Sequence, residues 1–153
     1  MRNESFQALA DGSFHRIAYT DWGSVANPHV VVCVHGLARN SRDFDFLASA
    51  LTPRCRVVCM DVVGRGDSDW LKDKSDYVFS TYQRDAATML ARASAPARRW
   101  FGQFGRARLD WVGTSMGGLL GMLLAVRPGS PIRRLVLNDV GPLVPWKALF
   151  RMK

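Results

Sequence analysis

Apolar positions fall into two patterns along this chain, short continuous runs and helical stripes. His29 to Val34 (HVVVCV) and Arg56 to Val63 (RVVCMDVV) are runs of strand length, closed by His35-Gly36 and by Gly64. Such runs suit strands buried on both faces. Phe14 to Thr20, Arg108 to Val112 and Arg134 to Asn138 also read as strands. Ser41 to Leu51 places Phe44, Leu47, Ala48 and Leu51 at i, i+3, i+4 and i+7, the stripe of an amphipathic helix. Ser80-Thr81-Tyr82-Gln83 has the spacing of a capping box and predicts a helix start. Tyr82, Ala86, Met89, Leu90 and Ala93 then share one face until Pro96 interrupts. Met116 to Val126 is apolar all round, which predicts a buried helix ended by Arg127-Pro128-Gly129. The predicted order is β, β, α, β, α, β, α, β. After the opening strand this alternation predicts an α/β fold, a mostly parallel sheet with helices on both faces.

Composition agrees with one globular domain over residues 1–153. With 48% apolar and 22% charged residues, disorder, collagen and coiled coil are excluded. The longest apolar run, Gly117 to Val126, is far short of the roughly 20 residues that span a bilayer, and no export signal is read at the start. No membrane association is expected. Cys33 and Cys59 lie inside Val-rich runs and read as buried thiols, which fits a reducing, cytoplasmic location. The net charge of +8 is uneven: residues 91–153 carry eleven Lys and Arg against two acids, Asp110 and Asp139. No nucleic-acid motif accompanies the arginines, so an Arg-rich surface without a nucleic-acid partner is expected. The sequence carries no indication of oligomeric state.

The chemistry concentrates in Trp111-Val112-Gly113-Thr114-Ser115-Met116-Gly117-Gly118, a G-x-S-x-G leaving a predicted strand and entering a predicted helix. A Ser on so tight a turn leaves no room for side chains two residues away, and Gly113 and Gly117 supply that room. Ser115 is then held at a helix start, where backbone amides favour a developing oxyanion. His35-Gly36-Leu37 follows a buried strand, from which a loop could aim another amide at the same place.

Other motifs weigh less. Gly64-Arg65-Gly66 lacks the third glycine of a dinucleotide loop and the Lys-Ser/Thr of a phosphate loop, and Arg65-Gly66-Asp67 reads as coincidence. Asp61, Asp67, Asp69, Asp73 and Asp76 lack calcium-loop spacing and read as a solvated acidic loop. Two thiols, Cys33 and Cys59, do not make a zinc site. Neither metal nor organic cofactor is expected.

HGLARN, DVVGRGDSDW, WVGTSMGG and LVLNDVGP, in that order, resemble the N-terminal part of an α/β-hydrolase of the bacterial esterase and lipase-like kind, from about Phe14 to Trp146. That resemblance implies Ser115 as nucleophile, an oxyanion hole from the Leu37 and Met116 amides, and His35 as a loop-setting residue. It also implies a small-molecule ester, thioester or lactone as substrate, and makes residues 142–153 the start of a lid. A dehalogenase is disfavoured, because that chemistry places Asp where Ser115 stands. The family orders its triad Ser, acid, His, yet His15, His29 and His35 all precede Ser115. Asp139, ending the last predicted strand, is a candidate acid, or else a turn and hinge residue with Gly141 and Pro142. The expectation is an incomplete α/β-hydrolase fold, its C-terminal strands absent, with little activity and an uncovered last strand. The alternative is a non-catalytic truncated product or a binding module that kept the fold.

Overall fold

A computed structural model describes residues 1–10, 13–94 and 107–141. Six strands form one sheet: β1 (Arg2–Ala10), β2 (Ser13–Trp22), β3 (His29–Val34), β4 (Arg56–Met60), β5 (Arg108–Thr114) and β6 (Ile132–Asn138), in the order β1-β2-β4-β3-β5-β6. β1 and β2 are antiparallel, and β3 to β6 run parallel. The mostly parallel sheet is the one predicted. The segment expected to begin a lid, 142–153, lies outside the described residues, as do the arginines at 98, 99 and 106.

The Val runs become central strands because both of their faces are covered. On one face Val30, Val32, Val34, Val58 and Met60 pack with α2 (Phe79–Ser94) and α3 (Met116–Ala125). On the other, Val31, Cys33, Val57 and Cys59 meet Phe44 and Ala48 of the segment carrying α1 (Asp45–Leu51). Cys33 and Cys59 are register partners, both free and fully buried. Contact with the Cys59 thiol, then burial, pushes the Cys33 thiol well up.

Several local expectations need correction. β1 carries too little apolar signal to be read from sequence: of Arg2 to Leu9, Phe6 and Ala8 alone are buried. The stripe over 41–51 is a 3-10 turn, Ser41–Phe44, followed by α1, and Leu47 is more exposed than its place in the stripe implies. The strand predicted to Val63 ends at Met60. The capping box does not start α2: the helix begins at Phe79, and the amides of Thr81 and Tyr82 both donate to Val78 O. The buried face of α2 is as predicted, with Thr81 and Asp85 added. Asp85 Oδ2 meets His15 Nε2 at 3.0 Å, both residues buried, so His15 ties β2 to α2. His29, opening β3, pairs with Asp110 Oδ2 at 2.8 Å. β6 lies at the sheet edge among the described residues, with Val136 53% exposed.

Candidate active site

The carboxyl ends of parallel strands are where an open α/β sheet presents its crevice, and three of them meet here. Gly113 on β5 pairs with Val34 of β3 and with Leu137 of β6, so the chain leaving each strand emerges at one place. These exits carry His35-Gly36, Thr114-Ser115 and Asn138-Asp139.

Ser115 is half-buried at the bend between β5 and α3, with φ 50° and ψ −113°. A non-glycine residue there is strained by on the order of 1–3 kcal/mol. The surroundings hold it in place. Its N–H donates to Asn138 O at 2.9 Å, and its carbonyl accepts from Gly118 N at 2.9 Å and Leu119 N at 3.1 Å. A Cβ on Gly113 would overlap the backbone of Gly117, and one on Gly117 would overlap the Val34 carbonyl. Both glycines are therefore required by close backbone approach, as the motif predicts. Trp111 adds a tie absent from the sequence reading: its Nε1–H donates to Gly117 O at 3.0 Å, and Gly121 leaves room for its ring.

The loop after β3 lies against this bend, since a Cβ built on Gly36 would sit 3.5 Å from Ser115 Cβ. His35 sets that loop. The ring is fully buried; Nδ1–H donates to Gly36 O at 2.7 Å and Nε2 accepts from Val62 N at 3.0 Å. Gly36 C=O and Leu37 N–H belong to one planar trans peptide, so holding the carbonyl also aims the amide. Met116, first residue of α3, has no helical carbonyl one turn before it, so its N–H has no intrahelical acceptor.

Arg65 and Asp61 brace the same loop. Arg65 Nε–H donates to Leu37 O at 2.9 Å, and its guanidinium lies 5.3 Å from the Tyr82 ring centre. Asp61 corrects the sequence reading of a solvated acidic loop, because it is buried and works as a backbone clamp. It accepts from Ser41 N at 2.6 Å and from Asp67 N at 2.9 Å. No sequence signal marked this role, since the amides it gathers come from separate turns.

Burial lowers the His35 pKa, only partly opposed by the Gly36 carbonyl and the Asp61 carboxylate. The unfolded chain therefore takes up a proton near pH 6.5 that the folded chain refuses, and stability falls as pH falls below that value. As pH falls below about 6.5 we expect this group to cost stability, by at most about 1.4 kcal/mol per pH unit. His35→Gln should flatten that limb in urea titrations; an equal slope in parent and variant would contradict it.

Asp139 follows β6 exposed, with φ 56°, a conformation that Asp tolerates in turns. Neither His15 nor His29 can act on Ser115, because their bonds to Asp85 and Asp110 hold them elsewhere. Both His35 nitrogens are occupied. Among the described residues no group of three or more His, Cys, Asp or Glu gathers as a metal site, and no helix is long and apolar enough to cross a membrane.

This strand, bend and helix arrangement defines a class, and comparison with known proteins agrees: the chain belongs to the α/β-hydrolase-fold family, whose model matches residues 29–152. It is 49% identical over 146 residues to a 3-hydroxybutyrate-oligomer hydrolase of Cupriavidus necator, covering 95% of this chain and 46% of the relative. The sn-1-specific diacylglycerol lipase ABHD11 of Mus musculus is 31% identical, over 74% of this chain and 33% of that protein. A solved α/β hydrolase from Novosphingobium aromaticivorans superposes with TM-score 0.77 at 37% identity, covering 99% of this chain and 48% of the other. The chain thus spans about half the length, or less, of these relatives.

Proposed function

We propose that this chain carries the nucleophile and oxyanion cradle of a serine esterase. Ser115 Oγ attacks the carbonyl carbon of an ester, and its proton passes to a base outside these 153 residues. The Leu37 and Met116 amides hold the oxyanion; collapse expels the alcohol, and water then releases the acid from the acyl-enzyme. The carrying observation is the strained Ser115 at the crossing of β5 and α3, with Gly36 packed against it. Similarity to an oligomer hydrolase favours a small oligoester of a hydroxy acid as substrate. The buried free thiols are in keeping with a cytoplasmic setting. Because no His within the chain can serve Ser115, the chain by itself should turn over esters slowly.

A fluorophosphonate tests this reading. We expect one adduct, on Ser115, forming faster when imidazole is added as base, and no adduct in Ser115→Ala. Labelling of another serine, or a folded chain that takes no phosphonate even with imidazole, would overturn it.

A further inference from the structure

Beside the oxyanion loop opens a cleft of about 720 Å³, within the usual range for small-molecule sites. Leu37, whose amide faces the proposed oxyanion, belongs to its wall. The rest of the lining comes from residues 38–40, the 64–66 turn, Trp70, Leu71, Lys72 and Lys74, and the rings of Tyr77 and Tyr82. Four of these residues are cations and none is an acid, although the segment from 61 to 76 holds five Asp. Three of those carboxylates are held by partners outside the cleft wall: Asp61 by the Ser41 and Asp67 amides, Asp69 by the Arg16 amide, Asp73 by Ser75. Of the cations, Arg39 is neutralised by Asp43, with contacts of 2.7 to 3.1 Å. Arg65 is bound to the carbonyls of Leu37 and Val63 and the Tyr82 hydroxyl, so its charge remains. Lys72 and Lys74 pair with no carboxylate among the described residues. Two lysines on a cleft wall that holds no carboxylate, beside Trp70 at 75% exposed, favour a ligand with an anionic end and an apolar body.

We propose that this cleft takes the free carboxylate end of the ester substrate, with Lys72 and Lys74 as its counter-charges and Arg65 supporting both that end and the loop. The inference rests on the esterase reading above and adds to it a preference for acids over their neutral esters. A hydroxy-acid oligomer has such an end: cleavage beside Ser115 would leave the carboxylate-terminal piece in the cleft.

The test is binding rather than turnover. The linear 3-hydroxybutyrate trimer and its methyl ester are titrated into the Ser115→Ala chain, at about 0.01 M salt and again at about 1 M, where screening shortens from about 30 Å to about 3 Å. We expect the acid to bind about tenfold tighter at low salt, the preference to vanish at high salt, and Lys72→Gln with Lys74→Gln to reduce it to about twofold or less. Equal binding of acid and ester, no binding of the acid, or a preference that survives high salt would overturn the proposal. So would a folded double variant that keeps it. The salt arm decides even if the double variant does not fold. Phosphonate labelling of Ser115 reports separately: a labelled serine with no carboxylate preference removes this inference alone, and the reverse result removes the esterase reading.

Discussion

Gly117→Ala should destabilise the chain by about 3 kcal/mol, among the larger effects a single methyl group can have. Its Cβ would fall onto the Val34 carbonyl and close to the His35 carbonyl, 2.9 Å away. Both are backbone, so no rotamer change gives relief. Either α3 lifts from β3 or the bend at Ser115 opens, and each misplaces the hydroxyl against the loop at 36–37. For a domain of this size the melting temperature should drop by about 10 °C, and phosphonate labelling should slow about 100-fold. Gly141→Ala is the control, since a Cβ there meets nothing within 4 Å among the described residues; it should change stability by less than about 0.5 kcal/mol. Thermal melts of the two variants side by side check this, and similar shifts would contradict it.

Asp61→Ala is expected to have the next largest effect. The carboxylate lies buried against Gly66 and gathers two amides, of which that of Ser41 is buried and would be left without a partner. A loss of about 2–4 kcal/mol follows from one stranded donor and one weakened turn. Asp61→Asn should lose less, because its amide oxygen can still accept one of the two bonds. The damage reaches the site through Arg65, two residues before Asp67, whose Nε–H holds the Leu37 carbonyl. Labelling of Ser115 should therefore slow in Asp61→Ala even at temperatures where the variant is folded. Urea titrations and labelling rates measured together decide it, and an Ala variant as stable as the parent would refute the clamp.

What was legible in the sequence was what local chemistry dictates. The Val runs announce strands covered on both faces, and Gly113, Ser115 and Gly117 announce the bend, because a clash two residues away can be foreseen from spacing alone. β1 is not legible because a strand with so few buried residues carries little apolar signal. The Ser80 capping box misled because its spacing is satisfied by chance, while the Val78 carbonyl already takes the first amides of α2. Asp61 reads as a loop acid, and Arg65 shows no role in the sequence, for a shared reason. Their partners, Ser41 and Leu37, arrive from the far side of β4, and only the folded topology brings them together.

The central claim is that the Leu37 and Met116 amides face the oxygen that develops charge on a carbonyl attacked by Ser115. The direct measurement is the amide NMR spectrum before and after phosphonylation of Ser115, because the bound phosphonyl oxygen stands where that oxyanion would form. The Leu37 and Met116 N–H resonances should show the largest downfield shifts and become the slowest to exchange among loop amides. If the adduct forms and neither resonance moves, the cradle is not where these residues place it.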